Sequence, residues 1–478
     1  MTLQDSMLAP LRADDAGLAL RVRKGLLSLG YTGDAVGGAL AEFRTKGLGY
    51  DALGEELAPS TPLACLMRAF VVGVPTADDV MRANVGDEFF GVCESAGLWK
   101  RVEGGVTGTV VIMVDGKTFL LSDHGSARLG ELAMYWVMGI GTSTMKLACS
   151  VHQKPYARML DLCCGGGIHA FMVSPFAKQI VAIDRNPRAL NLGRFGAAMN
   201  KFGNIEFRES DCYSAVAGEE FDAIICNPPY VLTPDRQTYY RDGGMGGDRF
   251  AEKILREAPA YLRDGGFAHV MCDVAAMDGK SSEERLQQWL ENAGCDVVAI
   301  GAKPIDAATY ARNWIRKDGD AVKPGEESRW VDSFKDLGVS SVTNMLVVLR
   351  KRDVGTNWFR SETASIDVRV NYGAQVARRF TNQDFLGRDD AAILAAKLRV
   401  PADVRLSNTV RMEGGRWVPD SSRITFAEGL QQEHAVEPSQ AAALAQFDGS
   451  KKTTDAMGKM RIGFVRNLIA NSILEPVG

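Results

Sequence analysis

The chain has 478 residues, 46% of them hydrophobic, and a formal net charge of −4, enough for about three domains of ~150 residues with ordinary buried cores. No strongly basic tract runs beyond the short "RVRK" (21–24) and "RKR" (350–352), so bulk charge disfavours a large RNA or DNA partner. No run of ~18 apolar residues reads as a membrane span. Asp5, Asp14 and Asp15 with no apolar leader argue against a signal peptide, which gives an expectation of a cytoplasmic protein.

Residues 10–90 carry helical periodicity. "AGLALRVRKGLLSLG" (16–30) repeats apolar residues at helical spacing and ends on Gly30, a helix stop, and "TPLACLMRAFVVG" (61–73) behaves alike. "TGTVVIMVDGKTFLLSDH" (107–124) then reads as a hairpin around Asp115-Gly116. Helices followed by a hairpin define a helical, winged-helix-like N-terminal domain over 1–125, suited to substrate docking, dimerisation (a homodimer is one expectation) or simple packing.

From about 155 strands and helices alternate. The strand segments are 157–163, 179–185, 204–210, 221–227, 267–273 and 296–301, with helices over 168–177, 187–201, 248–262 and 282–293 between them. A further strongly β run, "SVTNMLVVLRK" (341–351), follows an irregular segment. This is the pattern of a doubly wound α/β sheet, placed over 126–352. After 353 the texture changes: "DVRLSNTVRMEGGRWV" (403–418) reads as strands around Gly414-Gly415, and 438–461 as helix, turn, helix. A small α+β C-terminal domain over 353–478 is the expectation.

The nine cysteines are odd in number, form no CxxC, and several lie in apolar runs, so they read as free thiols in a reducing compartment. The five histidines show no ligand spacing. No metal site is expected.

Open α/β sheets bind ligands beyond the carboxyl ends of their strands, so the strand ends are where chemistry is to be sought. The first strand ends "DLCCGGG", giving Asp161, Cys163, Gly165 and Gly167. The dinucleotide spacing GxGxxG fails, because positions 163 and 168 are Cys and Ile. The second strand ends at Asp184, next to Arg185, where an acid can accept hydrogen bonds from both hydroxyls of a ribose. The third ends at Asp211-Cys212, placing a carboxylate for an exocyclic amine. The fourth ends "NPPY": Asn227, Pro228, Pro229 and Tyr230.

Four such strand ends in register resemble the class I S-adenosyl-L-methionine-dependent methyltransferases of the N/DPPY branch. That branch includes adenine-N6, cytosine-N4 and glutamine-N5 methyltransferases. The three-part layout resembles bacterial "methyltransferase small domain" proteins related to the glutamine-N5 and rRNA enzymes. The resemblance spans about 130–352 and implies a Rossmann-like, seven-stranded sheet and S-adenosyl-L-methionine as methyl donor. It assigns Asp161, Cys163, Gly165, Gly167, Asp184, Arg185, Asp211, Cys212 and Asn227 to the donor, and Asn227, Pro228 and Tyr230 to the acceptor. Cys163 stands where the family usually has its first glycine. "GIGTST" (139–144), with Thr142, occupies the place of a loop that closes over donor and acceptor in relatives.

The chemistry suits the motif. An amide or aromatic amine is a poor nucleophile because its lone pair is delocalised. Fixed acceptors on its two N–H groups, the Asn227 side-chain oxygen and the Pro228 carbonyl, favour a pyramidal nitrogen, and Tyr230 offers a stacking face. No metal or strong base is needed. Downstream, Tyr239, Tyr240, Arg241 and Asp242 in the glycine-rich "YYRDGGMGGDRF" (239–250) are acceptor-recognition candidates. The expected reaction is methyl transfer to a nitrogen on a macromolecule, an RNA or a protein glutamine. The alternative is a small-molecule acceptor, an amino acid or metabolite methylated on nitrogen or a thioether sulfur.

Overall fold

The computed structural model describes residues 8–45, 50–129, 133–234, 245–317, 324–352 and 356–477. In the N-terminal module Asp15 caps the helix Ala16–Ser28 by accepting from the Leu18 N–H at 2.8 Å. Gly30 follows at φ 79°, the left-handed geometry of a helix stop. Further helices run to Asp87–Ser95. Two ribbons come next: β1 (Trp99–Val102) with β2 (Gly105–Gly108), and β3 (Val111–Asp115) with β4 (Thr118–Ser122). The β3–β4 turn is the hairpin anticipated at Asp115-Gly116; β1–β2 had no signal of its own, its strands being only four residues long. The module shares its core with the helix Pro187–Asn200, whose Ala189, Leu192, Phe195 and Met199 pack among Phe70, Phe90 and Phe119. Asn191 of that helix exchanges hydrogen bonds with the Leu11 backbone at 3.1 and 3.0 Å.

The central sheet contains β5 (Tyr156–Leu162), β6 (Ala177–Asp184), β7 (Ile205–Glu209), β8 (Phe221–Cys226), β9 (Leu262–Met277), β10 (Cys295–Gly301), β11 (Ile305–Asp306), β12 (Val339–Lys351) and β13 (Phe359–Thr363). The order is β13-β10-β12-β9-β8-β5-β6-β7, with β11 beside β12. Strands β5 to β9 pair in parallel, while β12 runs antiparallel to both β9 and β10. All seven anticipated strands are present, and the sheet has two more. One of them, β13, lies beyond 353, where the sequence pattern changes; it pairs in parallel with β10. β10 is buried along its whole length, and a buried strand needs a ladder partner on each edge.

The helix anticipated over 168–177 is shorter, Ile168–Val173, because Ser174-Pro175 turns the chain. The helix anticipated over 248–262 is Arg249–Glu257, followed by a tight turn containing Pro259. The chain leaves β5 toward β6 and β7 on one side and toward β8 and β9 on the other. The order therefore reverses between β5 and β8, where α/β sheets open a crevice beyond their carboxyl ends.

The C-terminal part has its own core around Phe385, Ile393, Ile424 and Leu468. Its long ribbon, Val404–Glu413 with Arg416–Phe426, turns at Gly414-Gly415 as anticipated. The segment 438–461 departs from a simple helix–turn–helix: the helix Pro438–Leu444 is followed by a strand, Asp448–Lys452, and a short helix, Thr453–Ala456.

Candidate active site

The carboxyl ends of β5, β6, β7 and β8 line one cleft of about 930 Å³, its open mouth included. Leu162, Cys163, Gly165, Ile183, Asp184, Arg185, Asp211, Cys212, Asn227 and Pro229 all contribute to its walls. Four strand ends far apart in sequence thus converge on one volume.

The Gly165 N–H donates to Asp184 Oδ2 at 2.8 Å, and the Asn186 N–H donates to Oδ1 at 2.8 Å. The loop after β5 is thereby locked to the acid after β6. Burial raises the Asp184 carboxyl above its ordinary range, opposed by these amides and by Arg185. Each oxygen keeps a further lone pair for an incoming hydroxyl. Arg185 itself is exposed at the cleft wall.

Asp161 is 1% exposed. Its Oδ2 accepts the Ala170 N–H at 2.9 Å, while Oδ1 is buried with no partner. Burial, with a contribution from Asp184, pushes its carboxyl up to about 8 against the opposing Ala170 bond. Asp161 stands behind the loop and is not among the lining residues.

Cys163 adopts φ 59° and Cys212 φ 49°, both in the left-handed region. The usual glycine at the first of these positions has a reason: the backbone there is one that a side chain tolerates poorly. Cys212 Sγ lies 3.6 Å from Asp211 Oδ1 and 3.5 Å from the Lys253 ammonium, which donates to it; burial lifts the thiol to about 11. Asp211 is exposed at the rim. Gly167, grouped with the donor loop in the sequence, does not line the cleft. It starts the helix Ile168–Val173 at φ 80°, and a Cβ there would press on the Phe207 ring at 3.0 Å. Its glycine serves helix-to-sheet packing.

Of the residues expected at the acceptor, Asn227 lines the cleft, and its side-chain oxygen is buried without a hydrogen-bond partner. Pro228 is buried beside it. Tyr230 lies outside the cleft lining, with its phenol facing Ser143 and Asn344 and its pKa raised by burial. Thr142 is exposed and opens the helix Thr142–Ser150; its neighbour Thr144 lines the cleft and accepts the Gly141 N–H at 3.2 Å. Tyr239, Tyr240, Arg241 and Asp242 lie outside the described residues.

Several lining residues had not been singled out in the sequence. Trp136, Val137 and Met138 form one wall together with Gly139, the first residue of "GIGTST", and His169, Ser210 and Phe250 complete it. His169 is buried, bonded to the Thr144 carbonyl at 3.2 Å, and pushed down to about 4, so it is neutral. The 136–138 strip had only its position before "GIGTST" to mark it.

Residues 134–293 match the family model described as "Methyltransferase small domain", so the resemblance carried by the strand ends holds over this segment. The chain is 37% identical over 125 residues to a release factor glutamine methyltransferase of Xylella fastidiosa, covering 23% of this chain and 44% of that protein. It is 31% identical over 133 residues to a ribosomal protein uL3 glutamine methyltransferase of Xanthomonas campestris, covering 25% of this chain and 42% of that protein. The chain spans about half or less of the length of the curated relatives it matches. Among solved structures, a methyltransferase from Pyrococcus furiosus aligns at 18% identity with TM-score 0.26, over 42% of this chain and 77% of that one.

Proposed function

We propose that the protein transfers the methyl group of S-adenosyl-L-methionine to the side-chain amide nitrogen of a glutamine in a protein substrate. The observation that carries this is Asn227 Oδ1: an acceptor at the cleft wall, buried and without a partner. Leaving such a group unpaired costs about 1–3 kcal/mol, and an N–H of an amide acceptor removes that penalty.

The residues fit the donor. Asp184 has spare lone pairs for two ribose hydroxyls, Asp211 at the rim accepts an exocyclic amine, and Ile183, Ala189 and Phe250 supply apolar wall for a flat base. Gly165 contributes no side chain to the cleft: nothing lies within 4 Å of a Cβ built on it. When bound, the donor supplies an electrophilic methyl on a sulfonium.

Everything else falls to the chain. Asn227 Oδ1 and the Pro228 carbonyl take the two N–H bonds of the amide, so its lone pair is freed from resonance and aimed along one line. The prolines keep those acceptors from reorganising. Tyr230, its phenol facing Ser143 and Asn344, offers a ring face to the planar amide. The methylated nitrogen becomes acidic, and water takes its proton. Glutamine is favoured over a nucleobase by the named substrates of the relatives and by the acidic balance of the chain.

The test is incubation of the protein with methyl-labelled donor and, separately, total cell protein, ribosomes, RNA and a metabolite extract. Label on a protein glutamine, mapped by mass spectrometry, is expected. Label only in RNA or only in small solutes overturns the glutamine assignment; label nowhere, with an intact protein, overturns the transferase reading.

A further inference from the structure

The cleft is not walled by the sheet alone. Its remaining wall, the strip Trp136–Gly139, is held from two directions. The end of β4 grips it: the Asp123 N–H donates to the Val137 carbonyl at 2.9 Å, and the Val137 N–H donates to Asp123 Oδ2 at 2.9 Å. The Trp136 indole N–H donates to the His124 carbonyl at 3.0 Å. Gly139 packs so closely that a Cβ would lie 2.9 Å from Ser122 Oγ. From the other side, the first turn of the helix Pro187–Asn200 holds it. Arg188 donates to both Asp123 oxygens, Nε at 3.1 and 2.9 Å and Nη2 at 2.5 Å. Asn186 donates through Nδ2 to the Tyr135 carbonyl at 2.8 Å, while its own N–H holds Asp184.

The ion pair is dry, with side-chain exposures of 1% for Asp123 and 3% for Arg188. Buried ion pairs are poor stabilisers compared with an apolar pair of the same volume. Packing of the N-terminal module on the sheet therefore does not explain this one. What an apolar pair cannot do is bond the strip backbone and the helix at the same time, as the Asp123 carboxylate does. The same helix turn fixes the acid proposed to hold the ribose.

We propose that Asp123, supplied by the N-terminal module, is a positioning residue for the donor cleft: with Arg188 it clamps the strip 135–139 across a bound donor and registers it to Asp184. The role rests on the donor reading of this cleft. The N-terminal module then has a task in donor binding besides its packing on the sheet.

The test replaces the pair without leaving an orphan charge, as Asp123→Leu with Arg188→Met. Its readouts are thermal melting, amide exchange of Val137, calorimetric affinity for S-adenosyl-L-methionine, and steady-state kinetics. The variant is expected to melt near the wild type. The Val137 amide should exchange at least about tenfold faster, and donor affinity should weaken about tenfold or more. The rate at saturating donor and the KM for acceptor should hold. A folded variant with unchanged donor affinity, or with unchanged Val137 exchange, overturns the proposal. Should this variant fail to fold, Asn186→Ser keeps a capping oxygen and deletes the bond to the Tyr135 carbonyl; unchanged donor affinity there overturns it equally. Wild-type protein that binds no S-adenosyl-L-methionine removes the donor reading and the role of Asp123 with it. Accelerated Val137 exchange in that case still shows the clamp and places the fault in the donor assignment.

Discussion

The Asn344 side-chain amide donates to Asp273 Oδ1 at 2.8 Å, and this pair lies beside the phenol of Tyr230. Lys146 donates to Asn344 Oδ1 at 3.4 Å, which fixes which way the amide faces. Tyr310 donates to the other Asp273 oxygen at 2.7 Å and accepts the Leu232 N–H at 3.1 Å. Leu232, two residues after Tyr230, is thus tied through Tyr310 to the same buried carboxylate that holds Asn344.

If this network acts by aiming the Tyr230 ring, Tyr230→Phe and Asn344→Leu should each lower kcat about tenfold, or ~1.4 kcal/mol. The double variant should be no slower than the slower single, because both changes remove one function. Additive losses in single-turnover rates would separate the two residues and remove Asn344 from the acceptor side.

Asn227→Ala deletes the unpartnered acceptor and leaves the donor loop, Asp184 and Asp211 in place. Methyl transfer should fall by about 10²–10³-fold, as for other preorganised groups, with donor affinity near that of the wild type by calorimetry. A variant that retains turnover would sink the amide mechanism. One that loses donor binding in proportion would move Asn227 to the donor side.

These residues were legible in the sequence for a simple reason. The strands are short, apolar and parallel, so the polar residue that ends each one is conspicuous, and topology alone brings Asp161, Asp184, Asp211 and Asn227 to one edge. Cys163 was legible as a departure, and its φ of 59° shows what the departure is from. The strip 136–138, ahead of "GIGTST", was not legible: it is neither periodic nor polar, and it becomes a wall only through contacts with Asp123 and Asn186 from distant segments. The same holds for β13, whose place is set by the buried edge of β10 and not by any local signal. Gly167 shows the converse error. The glycine run looked like one functional unit, yet one of its members answers to the Phe207 ring.

Asp161 should leave a mark on stability. Burial holds its carboxyl at about 8, against 3.8 for a free side chain, so the folded protein keeps a proton that the unfolded chain has shed. Stability from this group is complete below the unfolded value and is lost as pH rises through about 8. Asp161→Asn carries no such titration. The melting-temperature difference between variant and wild type should therefore move in favour of the variant between about pH 4 and about pH 8 and level off above that. A pH-independent difference would place the ionised form comfortably inside the fold and contradict the burial argument.

Gly165 and Gly166 are adjacent, yet their substitution should fail in different ways. A Cβ on Gly166 would sit 2.7 Å from the Leu121 carbonyl oxygen, a backbone atom that cannot rotate away, so Gly166→Ala must push the end of β4 off the donor loop. It should lower the melting temperature sharply. A Cβ on Gly165 meets nothing within 4 Å, and φ there is +52°. Gly165→Ala should therefore destabilise only by the left-handed strain of about 1–2 kcal/mol, while the new methyl projects from a cleft-lining residue and weakens the donor about tenfold or more. Melting curves and calorimetry on the two variants separate these outcomes. Equal loss of stability in both, or undiminished donor affinity in a folded Gly165→Ala, would mean that the loop after β5 does not face the donor.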